Sequence, residues 1–156
     1  GMANLEEISE TVEVAKENGC QDMILLHCIS SYPAPVEQSN LKTIPDLAKK
    51  FGVLSGLSDH TIGTTVSTTS VALGACMIEK HITFDKKQMG NDHKVSLLPE
   101  ELAQMVQQIR LLEEALGSDN ARVVTQGELI NREVLAKRIA RGINRTTVIQ
   151  TNLELR

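Results

Sequence analysis

An alternation of strand and helix signals predicts an α/β fold built on parallel strands. Three observations carry it: short apolar segments recur, segments of helical spacing follow them, and each apolar segment ends in polar, reactive side chains. Strands separated by helices must run parallel, because the crossover returns the chain to the same end of the sheet. A doubly wound sheet would show a glycine-rich phosphate turn after its first strand, and this sequence has none. Polar residues gathered at three successive strand ends suit part of a (β/α) barrel, whose active sites collect at the C-terminal face of the strands.

The elements follow in order. Leu5, Ile8, Val12 and Ala15 have helical spacing behind Asn4 and Glu7, a capping pair, and Gly19 closes that helix. Met23 to Cys28 is a continuous apolar run typical of a buried parallel strand. A polar loop with Pro33 and Pro35 leads to a helix carrying Ile44, Leu47, Ala48 and Phe51, stopped by Gly52. Val53 to Leu57 reads as the second strand, running into Ser58, Asp59 and His60. Thr64 to Ala75 has helical spacing at Val66, Val71 and Leu73 despite its weak helix formers. Its Thr-rich stretch is expected to be a tightly packed helix rather than a phosphate cup.

Cys76 to Thr83 is the expected third strand. Pro99 then opens a helix with Leu102, Met105, Val106, Ile109, Leu112 and Leu116 on one face, closed by Gly117. Beyond Gly117 the chain is polar and weakly patterned. Residues 1–117 are therefore expected to form one unit, and 118–156 a linker or the start of a further domain.

Composition excludes some functions. Hydrophobic residues at 41% and charged residues at 23% are ordinary for a globular protein. Aromatics at 2% and a net charge of -4 argue against nucleic acid as a partner. No apolar run approaches the ~20 residues of a membrane span, and the N-terminus lacks a signal-peptide pattern. Cys20, Cys28 and Cys76 form no CxxC pair, and two of them fall in apolar runs where buried thiols are common. A reducing cytoplasm is the expected location.

The strand ends supply the candidate chemistry. The first offers His27, Ser30 and Tyr32, the second Ser58, Asp59 and His60, the third Glu79, Lys80 and His81. His60 and His81 lie on successive strands, in reach of one divalent ion, and neutral imidazole suits Mn, Fe, Co or Zn. The competing reading makes one of them a satisfied interior residue. His27 sits inside its strand and is expected to be structural. Period-two alternation puts Glu79 on the side of His81 and turns Lys80 toward the helix layer. Glu79 is thus the site candidate, and Lys80 is expected to be solvated or ion-paired. Asp92, on the loop after the third strand, could reach a hydroxylated substrate or simply be solvated.

Four segments together carry a resemblance: LLHCISSYPAP (25–35), GLSDHT (56–61), IEKHIT (78–83) and GNDHKVSL (90–97). In order and spacing the chain resembles the N-acetylneuraminate (sialic acid) synthase family, from residue 1 to about residue 142. The resemblance implies a partial (β/α)8 TIM barrel, its sixth to eighth strands with their helices, followed by a linker toward an antifreeze-like domain that is not included. It implies an enzyme that condenses phosphoenolpyruvate with an N-acetylated amino sugar to a nonulosonic acid, using a divalent metal, Mn or Mg. By the same resemblance His60 and His81 would hold the metal and Ser58 the phosphate of phosphoenolpyruvate. Tyr32, Glu79 and Asp92 would serve the sugar, with Glu79 as the catalytic candidate, and Ser30 would lie at a phosphoenolpyruvate-binding position. Asn91 stands where the family motif has Pro.

The chain is read as a fragment of such an enzyme, inactive in isolation because the phosphate-holding lysines of the family's early strands are not in it. Three strands of a barrel would leave open edges and a bare face, so a homo-oligomer is expected. Two alternatives stand beside this: an inactive half-barrel acting as a metal-binding or oligomerisation module, and a Schiff-base aldolase using Lys80.

Overall fold

The computed structural model describes residues 1–118 and 123–132. The chain divides into two units, Gly1–Gly117 and Ser118–Arg156. The first is α/β: α1 (Leu5–Glu17), β1 (Ile24–Cys28), α2 (Thr43–Phe51), β2 (Leu54–Asp59), α3 (Thr65–Ala72), β3 (Ile78–Lys80) and α4 (Pro99–Leu116). Single 3-10 turns at Val36–Gln38 and Asp92–Lys94 interrupt the loops. The sheet has the order β1-β2-β3, and both pairings are parallel. This is the partial-barrel sector expected from the sequence.

Local chemistry explains the helix ends. Asn4 accepts a hydrogen bond from the Glu7 amide at 2.9 Å, and the Glu7 carboxylate accepts from the Asn4 amide at 2.8 Å. Two of the unpaired N–H groups at the start of α1 are satisfied in this way. Gly52 ends α2 at φ 63, a left-handed conformation that a residue with a Cβ adopts only at a cost. In α4, Glu101 turns back to accept from the Leu98 amide and pairs with Lys86.

The strands alternate between two environments. Register pairs Leu25 with Ser55, His27 with Leu57, Leu57 with Ile78 and Asp59 with Lys80. These side chains face the helices: Ile44, Leu57, Val66 and Ala75 form the core cluster there, with Leu41 packed against it. Ser55 donates to the Ile44 carbonyl at 2.8 Å, tying β2 to α2. The opposite face carries Leu26, Gly56, Cys28, Ser58 and Glu79. A Cβ at Gly56 would collide with the Met77 carbonyl and Leu26, so glycine is required where β3 approaches. On this open face Leu54 is 61% exposed and Met77 46%. A cavity of about 520 Å³ borders β1, lined by Leu5, Ile8, Thr11, Leu25 and Leu47 among others.

Several boundaries differ from the sequence reading. β2 runs through Ser58 and Asp59, and β3 spans three residues rather than the eight from Cys76 to Thr83. β2 stops at Asp59, so the chain beyond Lys80 has no partner there. It pairs instead with Leu97, whose amide donates to the His81 carbonyl and whose carbonyl accepts from Thr83. α3 ends at Ala72, before the buried Ala75. Its buried positions are Val66, as its spacing suggests, with Ser67 and Ser70, whose small side chains let the helix sit close to β2; Val71 is half-buried and Leu73 falls beyond the helix. Cys76 lies outside β3 and is exposed, as is Cys20. In the second unit Thr125 and Glu128 form a capping pair before helical residues 126–132. The expectation of a linker or further domain over 118–156 lies largely outside the described residues.

Candidate functional site

Strand register brings the polar residues of the open face together. Cys28, Ser58 and Glu79 occupy one row across the three strands. Ser58 donates to Glu79 Oε1 at 2.7 Å, linking β2 to β3. One step further along, in the same alternation, His60 and His81 leave the strand ends with ring centroids 5.3 Å apart. Tyr32, from the loop after β1, lies over both: its ring centre is 4.1 Å from that of His60 and 5.9 Å from that of His81. Each of the three strands therefore contributes to one polar cluster.

His60 is held on several sides. Its Nδ1 lies 3.0 Å from the Ile29 carbonyl, an acceptor, so Nδ1 carries the proton and Nε2 keeps its lone pair. Its backbone carbonyl accepts from the Ala34 amide at 2.9 Å, and Cys28 Sγ lies 3.8 Å from Nδ1. An imidazole fixed through Nδ1 to a carbonyl is the arrangement that presents Nε2 to a metal. His81 lies beside it, half-buried. Among the described residues no group of three or more His, Cys, Asp or Glu side chains is placed to hold a metal ion. The two imidazoles could supply only part of a divalent-ion shell, leaving the other positions to water or substrate.

The helix-facing side of the same strands is closed. Lys80 Nζ lies 2.9 Å from Asp59 Oδ2, with side-chain exposures of 3% and 1%. Lys80 also donates to the Thr61 carbonyl at 2.8 Å. Asp59 accepts from the Thr61 amide and from the Ser67 hydroxyl as well. Burial pushes the Asp59 pKa up, but the hydrogen bonds from Ser67, Lys80 and Thr61, together with the Lys80 charge, outweigh it. The carboxyl titrates below its ordinary 3.8. Lys80 is ion-paired and turned away from the open face, which is unfavourable for a Schiff-base amine.

The remaining candidates sit apart from the ring cluster. His27 Nε2 lies 2.8 Å from the Ser39 carbonyl on the helix-facing side, a structural placement. Ser30 is exposed, and its hydroxyl lies 3.9 Å from Cys28 Sγ. Asp92 is exposed at the start of a 3-10 turn; its backbone carbonyl, rather than its carboxylate, accepts from Val95 and Ser96. Two neighbours of the site escaped the sequence reading. Cys28 shares the row of Ser58, a place set by the register between β1 and β2 for which alternation within one strand gives no signal. His93 bonds through Nδ1 to the Thr83 hydroxyl at 2.8 Å, tying the loop that carries Asp92 to the segment that follows β3. Its only sequence signal was its place in GNDHKVSL.

Comparisons with known proteins bear on the family and the fold. The family model described as NeuB family matches residues 1–121. An uncharacterized protein of Methanocaldococcus jannaschii is 48% identical over 142 residues, 88% of this chain and 42% of that protein. An N,N'-diacetyllegionaminic acid synthase of Campylobacter jejuni is 45% identical over 139 residues, 88% of this chain and 41% of that protein. The crystal structure of an N-acetylneuraminic acid (sialic acid) synthetase from Leptospira borgpetersenii, in complex with citrate, superimposes with a TM-score of 0.75 at 33% identity. That match covers 92% of this chain and 49% of the other. The chain spans about two fifths of the length of these curated relatives. With the family model matched over residues 1–121, the chain belongs to the NeuB family.

Proposed function

We propose that this chain contributes the metal-binding and sugar-facing part of a synthase active site that condenses phosphoenolpyruvate with an N-acetylated amino sugar to a nonulosonic acid. The observation that carries this reading is the pair His60 and His81, 5.3 Å apart on adjacent strand ends, with Tyr32 over both rings. The synthase names of two similar proteins support the chemistry.

In this reading His60 and His81 hold one divalent ion, Mn or Mg. When bound, the ion supplies Lewis-acid polarisation of the sugar's carbonyl oxygen. The protein's own groups do the positioning. The Ser58 hydroxyl donates to Glu79 Oε1 and would turn to donate to the phosphate of phosphoenolpyruvate, with Ser30, beside the Cys28 that pairs with Ser58, serving the same substrate. Glu79 is then released to accept from a sugar hydroxyl and to take or return a proton at its carboxylate. Tyr32, 47% exposed, closes over the histidine rings and excludes water from one side, and Asp92 reaches the sugar from its loop.

The test is titration of Mn against the protein and against His81→Ala, by calorimetry or spin resonance. Binding by the wild type that is lost in the variant supports the pair, and equal affinity removes it. The three free cysteines suit a reducing cytoplasm. Among the described residues no helix is long and apolar enough to cross a membrane.

The exposed Leu54 and Met77 favour a second reading, a metal-binding module that self-associates without turnover. Phosphate release from phosphoenolpyruvate and N-acetylmannosamine, with and without Mn, separates the two. The isolated chain is expected to give negligible turnover, because catalysis by the whole enzyme draws on residues beyond the two fifths of its relatives that it spans.

A further inference from the structure

We propose that the buried Asp59–Lys80 pair fixes the separation and aim of His60 and His81, making Asp59 and Lys80 positioning residues for the metal pair. The inference rests on the metal reading above and concerns what holds that site in shape. Each member of the ion pair immediately precedes one of the histidines. Alternation sends the ion pair to the helix side and the histidines to the open side, so a clamp on one face determines where the imidazoles emerge on the other.

The strand ladder makes the clamp necessary. Asp59↔Lys80 is the last paired position of β2 and β3, so His60 and His81 leave the sheet where its pairing has just ended. The Lys80 ammonium bridges the gap: it bonds Asp59 Oδ2 at 2.9 Å and the Thr61 carbonyl at 2.8 Å, gripping the chain on both sides of His60. Asp59 Oδ1 accepts from the Thr61 amide at 2.8 Å, closing a turn whose central residue is His60. Ser67 of α3 bonds the same carboxylate and fixes it from the helix layer. Stability alone does not call for charges here, since a buried ion pair is often replaced by apolar residues without loss. What an apolar pair cannot reproduce is the directional hold on Thr61.

The experiment compares the wild type with Asp59→Leu/Lys80→Met, which fills the space without charge, and with Lys80→Arg, which keeps the donor. Three quantities are read: melting temperature, Mn affinity, and the metal-free nuclear Overhauser contact between the His60 and His81 rings. The double variant is expected to stay folded with a lower melting temperature, because Thr61 and Ser67 lose their acceptor, to bind Mn about 10- to 100-fold more weakly and to lose the ring contact. Lys80→Arg is expected to retain both. A folded double variant with wild-type Mn affinity and ring contact overturns the proposal. If wild type and His81→Ala bind Mn equally, the metal reading falls, and the ring contact alone decides the positioning role: lost in the double variant it stands, retained it fails. Should the double variant not fold, Asp59→Asn keeps the Oδ1 acceptor for the Thr61 amide but puts an NH2 group where Oδ2 accepts from Ser67 and Lys80, so the hold of Lys80 is lost. Loss of the ring contact in that variant supports the clamp, and its retention overturns it.

Discussion

The two faces of this small sheet are made from the same residues in alternation, yet they differ in nearly every physical respect. On the helix side Ile44, Leu57 and Val66 are buried, and the charged groups Asp59 and Lys80 satisfy each other with Thr61 and Ser67. On the open side Ser58 and Glu79 share one hydrogen bond, His60 keeps a free Nε2, and Leu54 and Met77 meet solvent. Neighbouring residues thus stand in opposite settings: Asp59 and Lys80 are bonded to each other beside the helices, while the rings of His60 and His81 meet on the other face. Polar groups that are fully satisfied among themselves specify geometry, and groups left unsatisfied are available for chemistry.

If that contrast is right, the largest single effect belongs to the closed face. Lys80→Met leaves the Asp59 carboxylate buried without its cation, which typically costs about 3 to 5 kcal/mol. Urea denaturation should show this as a lower midpoint, and a loss under about 1 kcal/mol would mean the pair is more solvated than its 3% and 1% exposures indicate. Ile44→Ala comes next. Ile44 is fully buried at the centre of the core cluster, and deleting such a side chain costs about 2 to 5 kcal/mol, depending on how far α2 and β2 collapse into the space.

Acid should separate the faces in a different way. The Asp59 carboxyl has a folded-state pKa below its ordinary 3.8, so the folded state binds fewer protons than the unfolded chain as pH falls. Its contribution is complete well above 3.8 and is lost as pH drops below that value and through the depressed folded pKa. The stability curve should therefore steepen at the acid end, and Asp59→Asn should flatten it. A variant curve parallel to the wild type below pH 4 would show that the acid limb comes from other carboxylates.

How far the contrast was legible in the sequence depends on the range of the interaction. Alternation is local, so the placement of Glu79 toward His81 and of Lys80 toward the helices could be read from period two alone. The Asn4–Glu7 cap was equally legible, because both partners lie within one helical turn. Strand ends were not: β3 stops at Lys80 because β2 stops at Asp59, and that depends on a partner 21 positions away in the chain. The same distance hid the identity of the Lys80 partner. Cys28 was missed because its place beside Ser58 is a matter of register between strands. In α3 the apolar residues pointed to Val71 and Leu73, whereas close approach to β2 selected Ser67 and Ser70 for full burial.

The smallest expected stability change sharpens the comparison most. Leu54 lies on the same strand as Leu57 but on its other face, and it is 61% exposed where Leu57 is 4%. In a monomer Leu54→Ser should change stability by no more than about 0.5 kcal/mol, as is usual for surface substitutions. If copies of the chain cover this face for one another, the same substitution should reduce the mass seen by light scattering at high micromolar concentration. A bare apolar patch beside free strand edges is what favours such association. The two measurements are independent: dilute unfolding reports what Leu54 contributes within one chain, and scattering reports what it contributes between chains. A wild-type protein that remains a monomer of about 17 kDa would show that the open face tolerates water over Leu54, Met77 and the exposed Glu79, and association would drop out of the reading. A variant that loses mass with unchanged dilute stability would instead make the open face an interface whose apolar edge serves assembly while its polar row remains for ligand.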